Sequence, residues 1–261
     1  MEQYKNILTG INTFNKDWFM AIKALNKKNI IICDFSNREK ITNILIEKKI
    51  DLILPLSDKD YLLIMDYIID SNIKIIYPIK ETIELLNNKL DFTKYMVENF
   101  KEYIPDVYYL NDVLMKDIEY PVISKPIYST NGHNMKIYYD EKNFLQCGKK
   151  IIIQKFIEDE FEYGAYLLCI SGKIINHKII RFKYKKFHIK NSNFPVNYEN
   201  IEFIDIELFG KIIEKLNYTG GMCVDFKFNT STNNIYIFEM NPRFGGSAFS
   251  CNFIYELLCI K

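Results

Sequence analysis

Residues 220–247 read GGMCVDFKFNTSTNNIYIFEMNPRFGGS, and this stretch decides the fold. Two apolar-rich runs flank the polar segment Asn229–Asn234, which predicts a β-hairpin. Side chains alternate between the two faces of a strand. On that period Val224, Phe226, Phe228, Tyr236, Phe238 and Met240 share one face and read as core. Asp225, Lys227, Ile237, Glu239 and Asn241 share the other. Pairing Asp225 with Glu239 satisfies both alternations, and a one-residue slip would break them. Opposed positions lie about 4.5–5.5 Å apart at Cβ, so two carboxylates and an amide oxygen converge on one patch. Like charges facing one another are destabilising, so a cation is expected between them. Hard oxygen ligands of this kind suit Mg²⁺, which takes one or two carboxylates together with phosphate oxygens. For these residues alone, the alternative is an ordinary solvated strand face.

The next residues narrow the choice. Glu-Met-Asn-Pro-Arg-Phe-Gly-Gly-Ser occupies 239–247. Pro242 ends strand pairing, Arg243 supplies a permanent cation beside the acidic pair, and Gly245 and Gly246 allow close backbone approach. With these residues the segment resembles the ATP-grasp superfamily, whose last metal-binding strand carries Glu-x-Asn-x-Arg. The Asn-Pro-Arg-Phe-Gly-Gly form is most similar to the branch of the carbamoyl-phosphate synthase large subunit. The resemblance implies ATP and Mg²⁺, or Mn²⁺ in its place, as cofactors. It also implies that Asp225, Glu239 and Asn241 hold two metal ions against the ATP phosphates.

Composition bounds the rest. A chain of 261 residues has room for two domains. Its 48% hydrophobic content supports a sizeable core, and a net charge of +1 gives no footprint for nucleic acid or a membrane surface. Six scattered cysteines without a C-x-x-C pair suit free thiols in a reducing compartment. The N-terminus lacks a signal-peptide pattern and no apolar run approaches a membrane span, so the expected location is cytoplasmic.

From the N-terminus, short apolar runs alternate with helical stretches. Strands are expected near Ile7–Gly10, 30–34, 51–55 and 73–77, with helices near 16–27, 38–48 and 58–71. This alternation predicts a doubly wound parallel sheet. Gly10 ends the first strand, but no G-x-G-x-x-G follows, so a dinucleotide site is not expected there. The resemblance implies instead a pre-ATP-grasp α/β domain over residues 1–80, walling the acceptor pocket. It implies an ATP-grasp domain with antiparallel sheets over 81–261, its two subdomains hinged near 154–157.

A single helix is expected from about Thr82 to Asn99, carrying Asn88-Lys89. Relatives place an Asp-Lys pair there, with the Lys reaching the phosphates. Asn88 departs from that pattern and Lys89 keeps it. Tyr120–Pro126 reads as a strand with Ile123 and Lys125 on one face. A lysine beside apolar neighbours on an inward face is costly unless paired, and a phosphate would pair it. Tyr128–Met135 matches the family's phosphate loop. Gly132 is its one glycine, Ser129 offers a hydroxyl, and His133 reads equally as an exposed loop residue. Gln154-Lys155-Phe156-Ile157 resembles the adenine-reading hinge. Gln154 replaces the usual Glu there, and Lys155 and Ile157 would act through their backbones. Glu160 and Glu162 are the candidates for the ribose hydroxyls. Glu162 is preferred because Glu-Tyr-Gly-Ala opens the next strand.

Phe161–Ile170, the turn Ser171-Gly172 and Lys173–Ile180 predict a second hairpin. The basic run from Arg181 to Lys190 follows. Alone it reads as a solvated strand or loop; the resemblance sets it beside the acceptor site, where Arg181 would grip a carboxylate or the moving phosphoryl group. A helix over Phe203–Leu216 is expected behind the carboxylate hairpin.

The resemblance implies an ATP-dependent carboxylate–amine ligase working through an acyl phosphate, with Arg243 as a second catalytic cation. Small-molecule carboxylates and amines would be its partners, and related proteins are often dimers. The alternatives are phosphorylation of bicarbonate or carbamate, or a non-catalytic ATP-binding module. Only CNFIYELLCIK follows Ser250, which reads as a minimal version, a truncated one, or one part of a longer assembly.

Overall fold

The structure is a computed structural model that describes residues 6–10, 29–33, 36–50, 52–55, 58–68, 77–108, 117–128, 134–144, 151–159, 161–184, 197–229 and 232–244. Its strands form three sheets. The first is parallel: β1 (Asn6–Gly10) lies between β2 (Asn29–Cys33) and β3 (Leu52–Leu54). Helices α1 (Arg38–Glu47) and α2 (Asp58–Ile68) follow β2 and β3. Ile41, Ile53 and Ile64 pack together as the core of this part. The helix expected near 16–27 lies outside the described residues, as does all of the expected strand at 73–77 except Tyr77.

The single helix expected from Thr82 to Asn99 is two: α3 (Lys80–Asn87) and α4 (Lys89–Asn99). Asn88 has φ −89° and ψ 102°, so its extended backbone cannot continue the helix. Its side-chain oxygen accepts from the N–H groups of Leu90 and Asp91, which caps α4. A 3₁₀ turn (Lys101–Tyr103) then leads into the second sheet. That sheet is antiparallel in the order β4 (Val107–Tyr108), β7 (Ile151–Lys155), β5 (Val122–Pro126) and β6 (Lys136–Tyr138). The one-turn helix α5 (Glu141–Phe144) buries Phe144 against Tyr138.

Five antiparallel strands make the third sheet. They run β10 (Asn197–Ile201), β9 (Lys173–Lys183), β8 (Phe161–Ile170), β11 (Gly220–Asn229) and β12 (Asn234–Asn241). The β8–β9 turn has Ser171 at φ 47° and Gly172 at φ 73°, the left-handed pair a tight two-residue hairpin requires. Helix α6 (Glu207–Lys215) packs Phe209 edge-on against Phe226 at 5.3 Å between ring centroids. Burying one such ring stabilises the sheet–helix contact by about 1.5–3 kcal/mol.

Asp225 pairs with Glu239 as the alternation requires, but beyond that pair the register shifts. Phe226 faces Ile237, and Phe228 faces Ile235. One extra residue, Phe238, stands in β12 opposite no partner, the mark of a β-bulge. This corrects the face assignment from the turn to the bulge. Ile235 and Ile237 enter the core with Phe226, while Tyr236 shares the Asp225 face as the partner of Lys227. Among the described residues, no helix is long and apolar enough to cross a membrane.

Candidate active site

The β11–β12 hairpin supplies the acidic centre. Pairing sets Asp225 opposite Glu239 and Cys223 opposite Asn241. Burial pushes the Asp225 carboxyl up to about 7, with Glu239 and Glu162 adding to the rise and Arg243 opposing it. Asn241 Nδ2 donates to Asp225 Oδ2 at 3.2 Å, and an Arg243 N–H donates to Asn241 Oδ1 at 3.4 Å. Pairing of β12 ends at Asn241, just before Pro242, and Phe244 then folds back onto Gly221. A Cβ at Gly221 would sit 2.4 Å from the Phe244 ring, so any larger residue there would force that ring out of its place against the strand. Burial raises the Cys223 thiol well above its usual range, with Asp225 adding to it, so it is no nucleophile.

Two lysines approach this centre from other elements. Lys89 opens α4 immediately after its cap, and its Nζ donates to Glu239 Oε1 at 2.5 Å. The cap explains the departure at Asn88. Its oxygen caps the helix while its Nδ2 donates to Asp91 Oδ2 and to the Tyr128 hydroxyl. An ionised Asp accepts only, so it could cap but would repel Asp91. Lys125 comes from β5 of the four-stranded sheet and stands 4.9 Å from the Phe238 ring centroid. Burial lowers its ammonium to about 8; Lys89 lowers it further, while Glu239 and Glu162 oppose the drop. The bulge residue therefore has a use: it puts an aromatic face beneath Lys125.

Glu162 belongs to the same centre. Tyr163, Ala165 and Leu167 of β8 enter the core, which leaves Glu162 and Gly164 on the face of Asp225. Its field reaches Asp225, Lys125, Lys227 and Tyr184. Gln154 is buried on β7 and shares the Lys125 face of its sheet, opposite Ile123. The Lys155 side chain turns away to Glu119 at 2.6 Å, and its backbone N–H donates to Asp106 O at 2.8 Å. Lys155, Ile157 and Tyr236 line a groove of about 530 Å³ beside Pro105; the acidic centre lies outside it. Ser129 and Gly132 lie outside the described residues.

Arg181 is not brought to this centre. It pairs across the sheet with Tyr163, a core-facing residue, and its guanidinium binds Glu199 and lies 4.6 Å from the Phe161 ring. Tyr184 stands near the centre instead. Burial raises its hydroxyl, with Glu162 and Asp225 adding to the rise. Two-residue spacing from Phe182, which pairs with Glu162, would have found it once the register was known.

Among the described residues no group of three or more His, Cys, Asp or Glu side chains is placed to hold a metal ion by itself. Two facing carboxylates and an amide fit a cation that draws the rest of its shell from water and phosphate, as Mg²⁺ does. Residues 86–247, more than half the chain, match the ATP-grasp domain family model. The large chain of carbamoyl phosphate synthase from Archaeoglobus fulgidus is 24% identical over 150 residues. That match covers 50% of this chain but only 13% of the relative, so the chain spans a small part of it. Among solved structures, the biotin carboxylase domain of Hydrogenobacter thermophilus 2-oxoglutarate carboxylase, in complex with MgADP and bicarbonate, superposes with TM-score 0.65 at 16% identity. It covers 95% of this chain and 66% of its own. An L-amino acid ligase from Bacillus licheniformis gives TM-score 0.58 at 17% identity, over 96% of this chain and 70% of its own. Likeness at that identity shows the fold alone. With the matched domain and the facing antiparallel sheets, it establishes that the chain belongs to the ATP-grasp family.

Proposed function

We propose that the chain is an ATP-dependent carboxylate–amine ligase. One observation carries the reading: Lys89 and Lys125, from different elements, meet the Asp225–Glu239 pair where the two antiparallel sheets face. Positive and negative groups held together out of water fit a phosphate chain and its metal better than a structural role, because a buried acidic pair is costly alone. Lys89 pairs with Glu239, and Arg243, linked to Asp225 through Asn241, offsets part of the Asp225 charge. Where Mg²⁺ binds, Asp225, Glu239 and Asn241 would hold it, and it would neutralise charge on the phosphates.

In this reading Lys89 exchanges Glu239 for phosphate oxygen, and Lys125 gains a phosphate oxygen as its partner. A substrate carboxylate oxygen attacks the γ-phosphorus, the bond to the β–γ bridging oxygen breaks, and ADP leaves. The amine then attacks the acyl carbon of the acyl phosphate. Its C–O bond breaks, inorganic phosphate departs with the electron pair, and the amine proton passes to phosphate or water. Positioning and charge do most of the work. Arg243 would stabilise the acyl phosphate. Gln154, Lys155 and Ile157 would hold the adenine, and Glu162 the ribose. Ser129 and Gly132 would close over the phosphates. Residues 1–80 would form one wall of the acceptor pocket, and 81–261 the catalytic domain.

ADP release from Mg·ATP with pooled amino acids and small carboxylates tests this. Amine-dependent release is expected from the wild-type chain and not from E239Q. The relatedness to carbamoyl phosphate synthase favours a second reading, phosphorylation of bicarbonate or carbamate. Bicarbonate-dependent release that needs no amino acid would select it. ATP binding without turnover on any substrate would leave a nucleotide-binding module.

A further inference from the structure

Lys227 is a buried charge that the mechanism above does not use. It lies two residues beyond Asp225 on the same face of β11 and is 3% exposed. Its Nζ donates to the backbone carbonyl of Asp159 at 2.8 Å and stands 5.8 Å from the Phe156 ring centroid. Both residues belong to the link from β7 to β8, where the chain crosses from the four-stranded to the five-stranded sheet. Asp159 is held in turn, its Oδ1 accepting from Phe161 N at 2.9 Å. Burial opposes the charge, and Glu162, Asp159 and Glu158 offset part of that cost.

An ammonium carries three N–H donors, and the bond to Asp159 accounts for one. A purely structural contact between β11 and the link would be made as well by an apolar side chain, since replacing buried charge with well-packed hydrophobe is often neutral or stabilising. What an apolar side chain cannot do is donate. The donors sit beside the hinge that the nucleotide reading assigns to the base, and on the same face as the carboxylates assigned to the phosphate end.

We propose that Lys227 is a positioning and selectivity residue for the base end of a purine nucleotide, its ammonium anchored on Asp159 and offering its other N–H groups to ring acceptor atoms. The inference rests on the nucleotide reading of the site. It makes the hinge selective: a base edge carrying acceptors is favoured over one presenting an amino group to Lys227.

The experiment compares ADP with inorganic pyrophosphate, both with Mg²⁺, by calorimetry on the full chain. K227M keeps the length and loses the donors. It should bind ADP about tenfold or more weakly, with pyrophosphate affinity within about twofold of wild type and no loss of melting temperature. K227Q, which keeps a donor, should bind ADP better than K227M, and it carries the comparison with wild type if K227M does not fold. Unchanged ADP affinity in the variants overturns the proposal. So does a parallel loss of both ligands with a lower melting temperature, which would make Lys227 a strut. A wild-type chain that binds neither ligand removes the nucleotide reading and this inference with it. A wild-type chain that binds both, with variants that do the same, removes only the inference.

Discussion

The two hairpins of the five-stranded sheet share a device and use it differently. Each carries one extra residue, in β12 at Phe238 and in β9 at Ile175. The β12 bulge falls inside the site. From Glu239 onward the faces stay as the alternation sets them, and the extra side chain lies beneath Lys125. The β9 bulge falls next to the turn, so every residue beyond it changes face. Counting back from Ser171-Gly172 without the extra residue would set Arg181 opposite Glu162, on the site face. With it, Phe182 takes that place and Arg181 turns to Tyr163 and Glu199. One hairpin holds charges against each other, as the proposed nucleotide site requires; the other satisfies its charges internally. Removing a charge should therefore act in opposite directions in the two.

The largest effect is expected from D225N. Loss of a ligating carboxylate should lower Mg²⁺-dependent ADP release by at least about 100-fold, since even residues that only orient a metal's ligands contribute about 10–100-fold. The same change should raise stability at pH 8. Burial and the facing Glu239 press the Asp225 carboxyl up to about 7, so at pH 8 the native state holds an unfavourable charge that an amide lacks. A gain of about 1–3 kcal/mol in denaturant unfolding is the expected size. Lower activity together with lower stability would show that Asp225 is an ordinary structural carboxylate.

Lys125 gives the next effect, and it depends on pH. Its ammonium loses its proton at about 8 in the protein, against an ordinary value of 10.5. Phosphate binds the charged form, so wild-type ADP affinity should fall about tenfold from pH 7 to pH 9. K125M should be weaker than wild type at pH 7 and lose that slope. The stability effect has the opposite sign. Between about 8 and 10.5 the unfolded chain binds more protons than the native one, so this group's contribution to stability rises with pH across that window. Melting of K125M should exceed wild type at pH 7 and converge with it near pH 10.

Much of this site was legible because its chemistry sits close together in sequence. Asp225, Glu239 and Asn241 lie on two strands joined by one turn, with Arg243 two residues past the second, and a single correct pair fixes the relation of the three. Lys125 was legible as a lysine among apolar neighbours in a short strand. The parts that escaped depend on single residues whose effect is geometric. Nothing in the composition of Phe238 or Ile175 marks a bulge, because a bulge is a property of the pair of strands. Asn88 reads as a neutral helix residue until its extended backbone breaks the helix and its two functional ends cap α4 and reach Asp91. Lys227 alternates onto the site face in sequence, but its worth depends on Asp159, a contact across 68 positions.

Asn88 sets a smaller effect between the two hairpins. N88A removes the cap that places Lys89 at the start of α4 and should lower stability by about 1 kcal/mol. ADP affinity should weaken by a few fold as Lys89 loses its fixed approach. N88D keeps the cap but sets a carboxylate against Asp91, so it should fall between N88A and wild type by chemical denaturation. Equal stability of N88A and wild type would show that the cap is not what seats Lys89.

The smallest effect belongs to Arg181, and it decides whether the two hairpins differ as argued. Its guanidinium pairs with a half-exposed Glu199 and rests on Phe161, so solvent and salt screen the pair, and its contribution is on the order of 0.2–1 kcal/mol. R181A should lower stability by that amount, and the loss should shrink in high salt. ADP release and nucleotide affinity should stay within about twofold of wild type, because the bulge at Ile175 has turned the side chain to the core face. A large loss of turnover with stability unchanged would mean that Arg181 reaches the acceptor side of the site in the working enzyme. The β8–β9 hairpin would then belong to the chemistry as fully as β11–β12, and its bulge would be a hinge for the arginine rather than a turn away from it.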